Sequence, residues 1–256
     1  MTTDTQTNNI NKPTSKPSES KIRFFLATFL IPLLIFSIGM IPLVLWLILV
    51  YLIYIITLNI TLYLILTPVI IILSMLILII SEVLFSGAII KLFNIKYTEG
   101  TYEYSVNNNM VFKWMLIFQL YTPIRKILDI IPMRRLNIVY LRFLGLKLGE
   151  NTLLGGVIRD PCLTEIGDNV TMGGYAIIYS HMHNKAERTI TFKKIKIGNN
   201  CVVGAGSIIM PGVIMEDNVI LAAGGVTKKN SLLQKNKIYG GNPAKEITVH
   251  KENKKQ

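Results

Sequence analysis

A six-residue rhythm governs the second half of this chain. Residues 197–226 read IGNNCVVGAGSIIMPGVIMEDNVILAAGGV, and a large aliphatic or methionine heads each six: Ile197, Val203, Ile209, Met215 and Leu221. Four positions after each head stands a small or β-branched residue: Cys201, Ser207, Val213, Val219 and Gly225. A period of six matches neither the 3.6 of an amphipathic helix nor the 2 of a half-buried strand. It fits a solenoid of three six-residue faces per turn, each turn stacked on the last. The heads then point into a narrow interior, the small residues fill the corners, and Gly and Asn at the bends tolerate left-handed backbone.

The rhythm extends back to Leu148. Heads at Leu148, Leu154, Ile166, Met172 and Ile178 keep one register, with Asp160-Pro161 displacing a single head, and Gly149, Gly155, Gly167 and Gly173 follow their heads. From Ile178 to Ile197 is nineteen residues, one coil plus one. The interruption, roughly 181–191 (HMHNKAERTIT), is polar and has no good heads, so it reads as a loop thrown out from one corner. After Val226 the pattern stops. Residues 227–248 are expected to leave the solenoid and cap or flank it, and 249–256 to form a charged tail. The two cysteines, Cys162 and Cys201, are too few and too far apart for a metal cluster or disulfide framework. Cys201 falls at a small-residue corner, where a packed thiol fits.

The first half has another character. No Asp, Glu, Lys or Arg occurs from position 24 to position 81, within a chain that is 51% hydrophobic and carries a net charge of +12. Residues 1–22 are polar and expected to be a disordered tail. Residues 23–93 form an apolar run long enough for two tilted transmembrane helices or three short ones. Two are favoured, with a hairpin tip at 57–61; Gly39 with Pro42, and Pro68, would be kinks within spans. Lys12, Lys16, Lys21 and Arg23 precede the run and many basic residues follow it, which puts both ends on the cytoplasmic side of a cell membrane. Glu82, near the exit, reads as an interface residue, with a buried functional acid as the alternative. In 94–147, two amphipathic helices are expected at 109–130 and 133–143, separated by Pro132. They would lie on the membrane surface or beside the spans, with Trp114, Tyr121 and Tyr140 as headgroup-level rings. A helical layer packed against the solenoid is the competing arrangement. The positive charge comes with no basic helix or aromatic-basic platform, which argues against nucleic acid as a partner.

Residues 148–247 resemble the left-handed parallel β-helix of hexapeptide-repeat acyltransferases. The resemblance lies in the order of the segments: IGDNV, a His-bearing loop, IGNNCVVGAGSIIMPGV, then VTKK and GGNPAKEI. The whole chain is also similar, more loosely, to the membrane-bound C-terminal segments of polylysine-type peptide synthetases. The expected fold is therefore N-terminal transmembrane helices followed by a mainly-β, left-handed parallel β-helix at 148–248, ending in a C-terminal cap. The resemblance implies transfer of an acyl group, usually acetyl from acetyl-CoA, onto a hydroxyl or amine. It also implies a homotrimer with CoA in the groove between adjacent β-helices, each active site being built from two subunits.

Acyl transfer from a thioester needs a base for the acceptor's proton, a donor for the oxyanion and a slot for the thioester. The chain has three histidines, His181, His183 and His250. His181 opens the thrown-out loop and matches the family's catalytic base. His183 could substitute if the loop is shifted, and a polar loop residue with no role is the bland alternative for both. His250 lies in the charged tail. The family's oxyanion donor is a backbone N–H, here at Ala205. The match also places Thr227, Lys228 and Lys245 near the cofactor, with Ala205 and Ala223 giving backbone contacts; for the lysines, ordinary solvated surface is the alternative. Asp160 matches an acidic position that holds the acceptor in sugar-acetylating members, and could equally make a local turn with Pro161. Where those members often carry an aromatic residue, this chain has Val202, which points away from a simple soluble sugar. An envelope, lipid-linked or polymer-linked acceptor fits better. Two other readings compete: a catalytically inactive, membrane-anchored trimeric scaffold, and a zinc carbonic anhydrase on the same β-helix. The latter needs three converging histidines, which the coils do not supply, so no metal is expected.

Overall fold

The computed structural model describes residues 17–131 and 133–248. Positions 1–16, Pro132 and the tail 249–256 with His250 lie outside the described residues. Residues 17–22, expected in the polar tail, instead begin a helix, α1 (Pro17–Phe25). One π-helical turn (Leu26–Leu30) joins it to α2 (Ile31–Gly39), and α3 (Ile41–Thr57) follows directly. Its start is tied down by Arg23, which donates to Asn107 O at 3.0 Å and Asn109 Oδ1 at 2.6 Å and lies over the Phe112 ring. The chain then turns at Leu58, whose φ is +49°, and at Asn59, whose side chain accepts from Leu62 N and caps α4 (Ile60–Leu92). The turn falls within the expected 57–61 tip. The stretches Lys21–Thr57 and Ile60–Leu92 are each long and apolar enough to cross a membrane.

The two ends of this hairpin differ. No residue of α3 is buried, and the buried residues of α4 all lie between Ile79 and Ile90. The hairpin base therefore packs against protein, while the tip presents Leu45, Ile56 and Leu64 at 62%, 81% and 68% exposure.

After α4 comes a short strand, β1 (Gly100–Glu103), which the sequence pattern does not announce. Helices α5 (Asn109–Ile130) and α6 (Arg134–Phe143) form where expected. Their rings are not at a surface, however. Trp114, Tyr121 and Tyr140 are all buried, and the Tyr140 hydroxyl donates to Leu120 O. An amphipathic pattern marks an apolar face without saying what covers it. Here α5 packs against the first helices and α4, and it lays Trp114 on aromatic residues that follow the solenoid's second coil.

From residue 147 the chain visits three sheets in rotation. The first coil is β2 (Lys147–Leu148), β3 (Leu153–Leu154) and β4 (Val157–Ile158), and the second is β5 (Thr164–Ile166), β6 (Thr171–Met172) and β7 (Ile177–Ile178). A hairpin, β8 (His181–Asn184) and β9 (Thr189–Phe192), interrupts the rotation. It resumes with β10 (Ile195–Ile197), β11 (Val202–Val203) and β12 (Ile208–Ile209), then β13 (Ile214–Met215) and β14 (Ile220–Leu221). All stacked pairs of coil strands are parallel. The heads form the interior: Ile178, Ile209 and Leu221 have no exposure, and Val203 and Met215 have 1%. Asparagines 169, 200, 218 and 236 hold corners at φ between +55° and +62°, a left-handed bend that Asn tolerates better than most residues. Their amides also stack, Asn218 Nδ2 donating to Asn236 Oδ1 at 2.9 Å.

Three expectations change. The displaced head is Ile158, which pairs with Ile178 and is buried; it precedes Asp160 rather than following it. The segment 181–191 is no irregular loop, since β8 and β9 pair antiparallel and β1 adds a third strand along β9. The alternation Thr189-Ile190-Thr191-Phe192 has a strand's period of two, and Ile190 and Phe192 are fully buried. Finally, the solenoid does not end at Val226. Strands β15 (Leu232–Leu233) and β16 (Ile238–Gly240) continue the parallel ladders of β13 and β14, and β17 (Lys245–Glu246) folds back antiparallel on β16. Thr227, 2% exposed, takes the inward position between Leu221 and Leu233. A polar residue at that head hid the last coil.

Candidate active site

The corner after β4 and β7 is where the coils depart from their rhythm, and the site forms there. Asp160 and Ser180 leave the third face at this corner, one coil apart. Asp160 is completely buried, so its carboxylate needs partners. Oδ1 accepts from the Tyr97 hydroxyl at 2.8 Å, and Oδ2 accepts from Ser180 N at 2.9 Å and lies 2.7 Å from His181 Nδ1. Thr164 Oγ1 donates to Asp160 O at 2.9 Å and fixes the backbone. Burial, and then the adjacent Asp160 charge, push the Tyr97 hydroxyl well above its ordinary pKa, so it stays a donor.

This geometry assigns the imidazole its tautomer. A proton on Nδ1 satisfies the carboxylate and leaves the Nε2 lone pair free to take a proton. Rings set the tilt of His181: Trp114 lies 5.2 Å away, His183 5.6 Å and Tyr179 6.0 Å, all edge-on. His183 sits two residues along β8 on the same side, against Tyr104 at 4.9 Å and Trp114 at 5.6 Å. Desolvation, and next the charge of His181, lower its pKa, with Asp160 partly offsetting them. Tyr97, Tyr104, Trp114 and Phe192 carry no repeat signal. The pairing of β1 with β9 and the packing of α5 bring them here.

Asp160 is thus not where an acceptor could touch it. Expected either to hold the acceptor or to make a local turn with Pro161, it makes the turn, Leu163 N donating to its carbonyl at 3.1 Å, while its enclosed carboxylate lies against His181. Thr227 also departs from its expected place at the cofactor. Its hydroxyl faces the interior, accepts from Met210 N at 2.9 Å and is 3.4 Å from Ile208 O. Ala205 and Ala223 are exposed and stack at another corner, between the second and third faces, where Gly224 N donates to Ala205 O at 2.8 Å. That corner is flat: a Cβ at Gly204 would come 2.4 Å from Ala223 N. The N–H groups of both alanines make no hydrogen bond among the described residues. Lys228 and Lys245 are exposed and make no ion pair among the described residues. A single chain therefore unites Asp160, His181 and His183, and holds the Ala205–Ala223 corner apart from them. No group of three His, Cys, Asp or Glu side chains suited to a metal occurs among the described residues.

Known proteins match this same half. A family profile described as "Bacterial transferase hexapeptide (six repeats)" matches residues 194–229. Protein CapG of Staphylococcus aureus is 33% identical over 125 residues, covering 44% of this chain and 72% of CapG. Gamma carbonic anhydrase 2 of Arabidopsis thaliana is 33% identical over 105 residues, covering 40% of this chain, which spans only 33% of that plant protein. Among solved structures, a maltose O-acetyltransferase from Clostridium difficile 630 is 28% identical, covering 45% of this chain and 75% of its own, with a TM-score of 0.40. With the profile on its central coils and a third of the residues shared across most of CapG, this chain belongs to the hexapeptide-repeat acyltransferase family.

Proposed function

We propose that this protein is a membrane-anchored acyltransferase that moves an acetyl group from acetyl-CoA to a hydroxyl or amine. The observation that carries the reading is the 2.7 Å contact between His181 Nδ1 and a fully buried Asp160. In the proposed reaction, His181 Nε2 takes the acceptor's proton as the acceptor attacks the thioester carbon. Asp160 stabilises the imidazolium that forms. A free backbone N–H such as that of Ala205 meets the oxyanion. The carbon–sulfur bond then breaks, and the imidazolium returns its proton to the departing CoA thiolate. Ala205 and Ala223 offer the flat, donor-bearing corner that a pantetheine arm needs, and Lys228 and Lys245 supply charge for the CoA phosphates. His181 and Ala205 occupy different corners of one triangular coil, so a complete site calls for a second copy. This supports a homotrimer with sites between chains. The two apolar helices would anchor it as a multi-pass protein with the β-helix on the cytoplasmic side, where acetyl-CoA is found.

Labelled acetyl-CoA supplied to membranes that carry the protein tests the proposal. His181→Ala should cut transfer into the envelope fraction by about 10² or more while CoA binding persists. Unchanged transfer would sink the assignment, and absence of CoA binding by the parent protein would favour an inactive scaffold.

The likeness to a carbonic anhydrase keeps a second reading in play. Carboxylate-held imidazoles also ligate zinc, and His181 and His183 could be two of three ligands. The third would have to come from elsewhere, since the chain has just one other histidine, His250. Metal analysis of the purified protein separates the two readings: stoichiometric zinc bound through His181 would favour the hydratase.

A further inference from the structure

Two cavities share one wall, and one of them is lined by His183, the ring neighbour of the candidate base; His181 itself lines neither. The inner cavity, about 380 Å³, is lined by Tyr104, His183, Asn184, Lys185, Arg188 and Thr189. The outer, about 530 Å³, is lined by Lys21, Phe24, Tyr104, Val111 and Met115 among others. Tyr104 belongs to both. It touches His183 at 4.9 Å, and His183 touches His181 at 5.6 Å, so one aromatic relay leads from the outer cavity to the base.

The chemistry changes along this path. At the inner end, Lys185 and Arg188 are exposed and form no ion pair among the described residues. Glu103 and Glu187 are the nearby acids on β1 and the hairpin turn, and neither lines the cavity. Arg presents a planar fork to phosphate oxygens and Lys a point charge. At the outer end, the walls are Phe24, Val111 and Met115, with Lys21 at the rim. This is where the charge-free run of the first long helix begins, and Phe24, Phe25 and Phe29 stand 50–55% exposed around it. Basic residues followed by exposed aromatics are what a helix presents at headgroup depth.

We propose that the acyl acceptor is a membrane amphiphile with a net-anionic phosphate head, unlike a zwitterionic lipid such as phosphatidylcholine. Its phosphate binds Lys185 and Arg188 in the inner cavity, its first apolar carbons lie along Phe24 and Met115, and its hydroxyl or amine faces His181. This rests on the acyltransferase reading and narrows it to a lipid acceptor recognised by charge.

The test is a binding measurement on the full chain that needs no turnover. The sequence has two tryptophans, Trp46 and Trp114. In a Trp46→Phe background the remaining indole is Trp114, in contact with Tyr104 and His183. Reconstituted in phosphatidylcholine nanodiscs, its fluorescence should change saturably as phosphatidic acid is added to the bilayer. Lys185→Ala with Arg188→Ala should weaken that response about tenfold or more, and Lys235→Ala, which removes an exposed positive charge on the last coil, should leave it intact. An unchanged response in the double variant overturns the proposal. So does an equal response to soluble inorganic phosphate in pure phosphatidylcholine, which would make this a free-anion site. Loss of acetyl transfer with the lipid response retained would refute the acyltransferase reading alone, so the two failures are distinguishable.

Discussion

Leu221 in the solenoid is wholly buried, whereas Leu45 in α3 is 62% exposed, and both sit in unbroken aliphatic surroundings. The coils give each aliphatic one inward place, repeated by the next coil. The tip of the helical hairpin gives its aliphatics no protein to face among the described residues. The acids in the two regions differ in the same way. Asp160, at the solenoid corner, has every oxygen engaged. Glu82, at the base of the hairpin, has a buried Oε2 with no partner, beside Gly39, where a Cβ would come within 2.5 Å of it. A buried carboxylate held by three donors orients something; one without donors only costs free energy.

The largest expected effect comes from the engaged acid. Asp160→Asn keeps the shape but can present its amide to His181 Nδ1, which reverses the tautomer. Acetyl transfer should fall by about 10² or more, as far as in His181→Ala, with the far-ultraviolet circular dichroism of the parent. A fall below tenfold would mean Asp160 is only a packing residue.

Truncation compares the two aliphatic environments directly. Ile209→Ala, in the column between Ile178 and the next coil, should cost about 2–5 kcal/mol. Ile56→Ala, 81% exposed at the hairpin tip, should stay within about 0.5 kcal/mol in detergent micelles. Equal costs in urea denaturation would show that the hairpin tip packs against protein in solution, for instance against another copy.

Glu82 should reverse the sign. Glu82→Leu removes an unpartnered polar atom from an apolar base, and should stabilise the protein by about 1–3 kcal/mol without loss of transfer. Lost transfer in a folded variant would give Glu82 a role that its surroundings do not suggest.

How much was visible beforehand follows from the same contrast. The period of six marks the coil heads from Leu148 to Leu221, apart from the displaced Ile158, because a coil repeats locally. It fails where one polar residue takes a head, as at Thr227. It also fails where a strand of period two is spliced in, as at Ile190 and Phe192. His181 stands out because it opens the break in the rhythm. Its surroundings do not, since Trp114 packs on it, Tyr97 bonds Asp160 and Tyr104 packs on His183, from 67 to 84 residues before it in the chain. At Asp160 only the turn is legible in the sequence. Local spacing shows an acid beside a proline, whereas its burial and its hold on His181 depend on a strand one coil away.

The smallest effect concerns His183, whose depressed pKa makes it a base that folding disfavours protonating. The unfolded chain, with an ordinary imidazole near 6.5, binds more protons than the folded one once the pH falls towards that value. Stability should therefore be flat above about pH 7.5, decline as the pH drops through 6.5, and level off below the folded pKa. The cost of protonation comes from desolvation and then from the charge of His181, and Asp160 opposes it. Because His183 is exposed, water screens most of this and the decline should be slight. His183→Gln should lessen the drop in melting temperature between pH 7.5 and 5 without altering the value at pH 7.5. An identical pH profile in the variant would mean that His183 does not carry the acid sensitivity.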